Sequence, residues 1–117
     1  MKTGLRFVAV AVGAAALAGC TTLTEGEFKN TQAVVSGSPS AKRETIDECV
    51  ARKRAEPLSE RQEAASFHNV KLSAFPETYC KRLWNAVASG RITYDDYRKL
   101  DQPGADNSKI IRIMQGR

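Results

Sequence analysis

The segment PETYCKRLWNAVASG, residues 76–90, has the clearest helical pattern in the chain. Its apolar residues recur at intervals of three and four, which places them along one face of an α-helix. Pro76 suits the first turn of a helix, and Gly90 suits the left-handed position just after its end. We therefore predict a helix that follows Pro76 and ends at Gly90. Its apolar face consists of Tyr79, Cys80, Leu83, Trp84 and Val87.

Two shorter helical patterns precede this segment. Ile46, Cys49 and Val50 have helical spacing among charged neighbours, and Pro57 ends that pattern. Ser59, followed three residues later by a glutamine, forms a candidate capping box for a second helix that runs to about residue 68.

A further helix is predicted after Gly90. The Thr93 hydroxyl and the Asp96 carboxylate have the spacing of a capping box, and Pro103 with Gly104 closes the helix. We expect its buried side to consist of Tyr94, Tyr97 and Leu100.

These patterns together predict an all-α fold. Residues 44–102 are expected to form a small helical hairpin or bundle of three to four short helices. Residues 103–117 are expected to be a C-terminal tail, in which apolar residues at 110, 111, 113 and 114 fit either a short helix or a frayed strand.

The N-terminal residues have a different character. Lys2 and Arg6 form a cationic start, an apolar run follows, and small residues precede Cys20, as in a secretory leader. The sequence Leu17-Ala18-Gly19-Cys20 resembles a bacterial lipobox. The resemblance implies that residues 1–19 are a cleaved signal peptide and that Cys20 carries an S-diacylglycerol and an N-acyl chain. An ordinary secreted protein and a signal anchor are the alternatives, although the apolar run falls short of the roughly 20 residues that span a membrane.

In such lipoproteins the residue after the cysteine directs sorting, and aspartate there favours the inner membrane. Thr21 occupies this position. We therefore expect the protein in the outer membrane, attached to membrane lipid through Cys20 and facing the periplasm. Residues 20–43 are expected to be the lipidated N-terminus and a flexible tether, because Thr, Ser and Gly are frequent and no apolar period is sustained. Residues 32–36 alone suit a short added strand as the alternative.

The resemblance to a lipoprotein also bears on how the other two cysteines are expected to pair. The chain has three cysteines, and the assignment of Cys20 to lipid leaves Cys49 and Cys80 in an oxidising compartment. We expect them to form a disulfide that staples the helical domain. Two free buried thiols are the alternative, whereas a redox-active pair lacks the usual Cys-x-x-Cys spacing.

Size and charge limit the function. The chain has 117 residues and a net charge of +5. Removal of the leader takes Lys2 and Arg6 from the 18 basic residues, which leaves 16 basic and 13 acidic residues in the mature chain. That balance is too weak and dispersed to favour nucleic acid.

No pattern of residues indicates catalysis. A lone histidine, His68, is more often a packing or surface residue than a ligand. Asp95 and Asp96 are adjacent on a helix and therefore point about 100° apart, which suits the helix N-terminus better than acid–base chemistry. A calcium loop after Asp101 is excluded because Pro103 occupies a ligand position. We expect neither an enzyme nor a bound metal, and no cofactor beyond the covalent lipid.

Two groups of residues are candidates for binding a partner. The basic clusters on two predicted helices form either a solvated rim around the staple or a patch for anionic envelope material. They consist of Arg52, Lys53, Arg54, Lys81 and Arg82. The aromatic residues Trp84, Tyr79 and Tyr97 are candidate anchors for a docked partner, with core packing as the alternative.

The sequence thus predicts a lipid-anchored envelope protein that presents a small helical binding or assembly module. Its partner is expected to be another envelope protein or anionic cell-wall material. The alternative is an accessory lipoprotein that escorts or inhibits one specific envelope protein.

Overall fold

A computed structural model describes residues 22–117, and all the regular secondary structure in this part of the chain is helical, with no strand. The all-α prediction is confirmed: of the six helices, four lie within or overlap residues 44–102, in agreement with the predicted three to four, and one further helix flanks them on each side. A short 3₁₀ turn, Leu72–Ala74, precedes the fourth helix. The helices are α1 Glu25–Gly37, α2 Pro39–Arg54, α3 Leu58–Phe67, α4 Phe75–Ala88, α5 Tyr94–Lys99 and α6 Ser108–Met114. The predicted leader, residues 1–19, and Cys20 lie outside the described residues.

Helix α4 is the centre of the fold, and α1, α2 and α6 all pack against it. It corresponds to the helix predicted after Pro76. Pro76 lies in its first turn, and Gly90 has φ of +81°, the left-handed conformation expected just beyond the helix end. Side chains on the inner face of α4, such as Cys80 and Val87, are 0% and 5% exposed.

The core consists of two clusters that meet at α4. One is built on Phe28, Val35, Val87, Ile113 and their neighbours, and the other surrounds the two cysteines. Tyr79 and Trp84 pack against both clusters. One helix therefore connects the two halves of a small core.

Cys49 and Cys80 form the expected disulfide. It joins α2 to α4 with a Cα–Cα distance of 5.9 Å, and both residues are buried. Ile46 of α2 packs beside the bridge. The covalent link and the apolar contact therefore fix the same pair of helices.

The tether predicted for residues 20–43 is wrong for most of its length. Thr24 and Glu27 form a reciprocal capping box at the start of α1: the Thr24 N–H donates to Glu27 Oε2 at 2.9 Å, and the Glu27 N–H donates to Thr24 Oγ1 at 3.2 Å. Phe28 and Val35, seven residues apart, are buried against the other helices. Gln32 Nε2 donates to the carbonyl of Val87 on α4 at 3.0 Å.

The same contacts explain why the boundary at residue 44 and the alternative strand at residues 32–36 are also wrong. A capped helix satisfies its own backbone and buries two apolar side chains, which a free tether does not. Ser38 ends α1 and caps α2 by accepting from the Ala41 N–H, with Pro39 in the first turn of α2. The domain therefore begins near Thr24.

The capping predictions have mixed outcomes. The box at α5 is present, with the Asp96 N–H donating to Thr93 Oγ1 and the Thr93 N–H donating to Asp96 Oδ2. The box proposed at Ser59 is absent from α3, because Pro57 precedes the helix without a side-chain cap and Ser59 lies inside it. Leu100, expected on a buried side, is 52% exposed.

Residues 103–117 are part of the domain rather than a tail. They contain α6, in which Ile113 and Met114 are buried in the first core cluster. The Arg82 guanidinium donates to the Met114 carbonyl at 2.8 Å, which holds the end of α6 on α4. The short helix was one of the two forms that the sequence left open, and the frayed strand is excluded.

The bridge is expected to supply much of the stability of the fold. Replacement of both Cys49 and Cys80 by alanine should lower the free energy of unfolding by about 3.5–4 kcal/mol, because a loop of roughly 30 residues is no longer closed in the unfolded chain. Urea unfolding followed by circular dichroism measures this loss. The wild-type protein unfolded in dithiothreitol should match the double variant, and a loss below about 1 kcal/mol would contradict the expectation.

The packing of α1 has a matched pair of test positions. Val35 is 3% exposed and the adjacent Val34 is 55% exposed on the same helix. Val35→Ala should destabilise the protein by about 2 kcal/mol through the loss of buried methyl groups. Val34→Ala should be close to neutral, and equal effects at the two positions in urea unfolding would show that α1 is not packed on the domain.

Candidate functional site

The three aromatic residues singled out in the sequence lie around one apolar cavity. Tyr79 and Trp84 reach it from α4, and Tyr97 reaches it from α5. The cavity has a volume of about 420 Å³, within the range of 300–1,000 Å³ common for small-molecule sites. These side chains therefore pack in the core and also form the wall of a candidate binding site.

The other walls come from segments distant in sequence. α1 contributes Phe28 and Thr31, and α6 contributes Ile110 and Met114. The Phe28 ring lies 5.5 Å from the Tyr97 ring, centroid to centroid, in a stacked arrangement. The cavity thus exists because α1 and α6 close over the gap between α4 and α5.

The cavity reaches the surface beside Leu23 and Leu100. Both residues line it, and they are 39% and 52% exposed. The Leu23 N–H donates to the Tyr97 hydroxyl at 3.0 Å. This hydrogen bond fixes the residue before the α1 cap at the opening.

The lining carries no charged side chain among the described residues. Its polar members are Thr31, the two tyrosines, Trp84 and His68, and the Thr31 hydroxyl already donates to the Glu27 carbonyl at 3.0 Å. Two buried polar atoms in these residues, His68 Nδ1 and Trp84 Nε1, have no hydrogen-bond partner. These two atoms could bond one polar group of a ligand, but the rest of the lining is apolar and uncharged, so the cavity favours a mainly hydrocarbon ligand over an ionic or sugar-like one.

The cavity is open to solvent beside Leu23. Water that enters it gains few hydrogen bonds from an apolar wall. An apolar occupant would remove that wall from water, which is favourable by about 25 cal/mol per Å² of apolar surface.

His68 lies at the edge of the cavity and packs edge-on against Phe67 and Tyr79, with ring centroids 5.0 Å and 5.3 Å away. Partial burial lowers the pKa of His68 below its ordinary value, and the positive charges of Arg82 and Lys53 lower it further. Both effects favour the neutral imidazole, which is consistent with an uncharged cavity wall.

The basic residues predicted as one patch are in different environments. Arg82 points inward and donates to the carbonyls of His68 at 3.0 Å and Met114 at 2.8 Å. Lys53 pairs with Glu56 at 2.9 Å and lies 4.7 Å from the centroid of the Tyr79 ring. These two side chains stabilise the fold.

The other three basic residues are exposed. Arg54 pairs with Glu77 across α2 and α4, whereas Arg52 and Lys81 form no ion pair within residues 22–117. The disulfide brings the two helices together as expected, but it leaves two of the five charges, Arg52 and Lys81, free for an anionic partner.

The acidic pair has structural partners. Asp95 pairs with Arg98 at 2.8 Å and with Lys99 at 3.3 Å. Asp96 caps α5 and pairs with Lys109 at 2.7 Å, which connects α5 to α6. Within the described part of the chain, no cluster of His, Cys, Asp and Glu is suited to a metal ion.

Comparisons with known proteins add no family. The sequence matches no family model, and no similar chain is found among curated proteins or solved structures. Between residues 22 and 117, no helix is both long and apolar enough to cross a membrane.

The cavity, and the residues that α1 and α6 contribute to it, are not among the features predicted from the sequence. A signal for α1 was present, since Thr24 and Glu27 have capping-box spacing directly before Phe28. No comparable signal marks the cavity, because its walls are assembled from four helices.

His68 should make the stability depend on pH. Its pKa is lower in the folded protein than the ordinary 6.5, so the unfolded chain binds the proton more readily. The contribution to stability is complete above pH 6.5 and is lost as the pH falls toward the folded-state pKa. Urea unfolding between pH 7.5 and 5 should show this loss.

His68→Gln is the control for this prediction, because His68 is the sole histidine of the chain and glutamine does not titrate. The variant should have a flatter stability profile over the same range. Equal slopes for the two proteins would contradict the assignment.

Proposed function

We propose that the protein is a lipid-anchored lipoprotein of the cell envelope and that its helical domain is a non-enzymatic binding or assembly module. The observation that carries the proposal is the leader that ends in Leu17-Ala18-Gly19-Cys20. Cys20 becomes the first residue of the mature chain and carries a diacylglyceryl thioether and an amide-linked acyl chain. One acyl chain binds a membrane only marginally, whereas two or more give stable attachment.

The disulfide supports this location. Bridges of this kind form and persist in oxidising compartments such as the periplasm. Cys49 and Cys80 are joined, and the remaining cysteine of the chain is Cys20. With Thr21 rather than aspartate after the anchor, the proposed site is the outer membrane, with the domain facing the periplasm.

The fold brings the proposed anchor close to the domain. Cys20 precedes the Thr24 cap by four positions, a span of about 14 Å at full extension. A tether of the predicted length would have had a root-mean-square reach of roughly 25 Å. The domain is thus held at the membrane surface, where it meets envelope proteins and anionic material.

The exposed charges favour such a partner. Arg52 and Lys81 are basic and free of ion pairs within the described residues, and the mature chain keeps a small excess of basic residues. A single exposed ion pair is weak and sensitive to salt. Such ion pairs suit a partner in the same membrane, because the lipid anchor already keeps the two proteins close together.

Replacement of the proposed anchor gives the decisive experiment. Cys20→Ser should abolish acylation and cleavage after residue 19, because serine lacks the thiol that is alkylated. Intact mass spectrometry of the membrane fraction measures both changes. Thr22→Ser is the control and should leave a processed, acylated protein in the outer-membrane fraction. Normal processing of Cys20→Ser would disprove the proposal.

A further inference from the structure

The apolar cavity has the properties of a site for one hydrocarbon chain. Its volume is about 420 Å³, no charged side chain lines it, and its walls are mainly aliphatic and aromatic. A ligand with several polar groups would lose its hydration there and would meet only two unpartnered polar atoms, His68 Nδ1 and Trp84 Nε1. A linear acyl chain has only apolar surface to bury.

The opening of the cavity lies beside the proposed anchor. Leu23 lines the cavity, is exposed at its opening, and is fixed there by the 3.0 Å hydrogen bond to the Tyr97 hydroxyl. Cys20 precedes Leu23 by three positions, so their Cα atoms are at most about 11 Å apart. An acyl chain extends through half of a hydrocarbon core of about 30 Å, or about 15 Å, which is enough to enter the cavity from Cys20.

We propose that the cavity takes up one of the acyl chains attached to Cys20. This inference rests on the proposed lipid anchor. The remaining two chains stay in the bilayer, and two chains are enough for stable attachment. The covalent link holds the third acyl chain near the opening at a high effective concentration. Movement of that acyl chain from the bilayer into the cavity keeps it in apolar surroundings.

Occupation of the cavity would set the orientation of the domain. The other two acyl chains on Cys20 remain in the bilayer, so an acyl chain that enters beside Leu23 holds the cavity opening at the membrane surface. Leu100 and Tyr97, which also line the cavity, then lie near that surface. The opposite side of the domain then faces the periplasm. Binding of the acyl chain would therefore give the lipid-anchored domain one defined orientation on the membrane.

Photocrosslinking in the intact lipoprotein tests the proposal. Cells are fed a fatty acid that carries a diazirine near its end, the membranes are irradiated, and the purified protein is digested and analysed by mass spectrometry. We expect a crosslink that joins the lipidated Cys20 peptide to peptides from α4 or α6 that line the cavity. Crosslinks from Cys20 to phospholipid alone would overturn the proposal, as would cavity peptides joined to phospholipid instead of Cys20.

The same spectra separate this inference from the proposed function. A Cys20 peptide without lipid would disprove the anchor and, with it, the occupant. A lipidated Cys20 peptide that makes no crosslink to the cavity would disprove the occupant and leave the anchor intact.

Thr31 offers a matched pair of variants. Thr31→Phe adds a ring to the cavity wall, whereas Thr31→Ala removes the same hydrogen bond to the Glu27 carbonyl without adding volume. We expect the phenylalanine variant to lower the yield of the cavity crosslink roughly tenfold, equivalent to about 1.4 kcal/mol of lost preference. The alanine variant should keep the wild-type yield, and equal yields in the two variants would overturn the proposal.

A second measurement on the wild-type protein does not depend on the folding of any variant. Trp84 is the sole tryptophan of the chain and lines the cavity. A brominated fatty acid incorporated at Cys20 should quench its fluorescence, because bromine quenches at contact. Unchanged emission from protein shown by mass to carry the brominated anchor would contradict the proposal.

Discussion

The crosslink between α2 and α4 is the constraint on which the rest of the structure depends. The domain is small, and its two core clusters share only the side chains Tyr79 and Trp84. The Cys49–Cys80 bridge fixes α2 on α4 from within one cluster. Once these helices are fixed, α1 follows directly before α2 through the Ser38–Pro39 junction and packs back on α4. The position of α1 therefore depends on that of α2.

The parts of the fold that could be predicted are those in which local sequence and tertiary packing agree. α4 has a full apolar stripe with Pro76 at one end and Gly90 at the other. The Thr93–Asp96 box similarly marks the start of α5. The sequence of α1 resembles a tether because its buried face consists of only Phe28 and Val35, among polar and small residues. Its helical structure depends on partners elsewhere in the chain as much as on its own composition.

The sequence indicated only part of the candidate site. Tyr79, Trp84 and Tyr97 lie around one cavity, but nothing in their spacing indicates that residues of α4 and α5 surround a space closed by α1 and α6. The basic residues are close together in sequence but are separated in the structure. Lys81 and Arg82 are neighbours in sequence, but adjacent positions on a helix point about 100° apart, so one side chain is exposed and the other points inward to the carbonyls of His68 and Met114. A cluster in sequence is therefore not a patch in space.

The cavity and the disulfide have complementary effects on stability. A small domain has little net stability, and apolar side chains that line a cavity pack against fewer neighbours than side chains in a filled core. A bridge that restricts the unfolded chain supplies stability that does not depend on how well the core is filled. The Cys49–Cys80 link lies in one cluster and the cavity is lined mainly by the other. The half of the domain that the disulfide fixes can therefore support the half that contains the cavity. The opening of that cavity lies at Leu23, three positions after the cysteine proposed to carry the lipid.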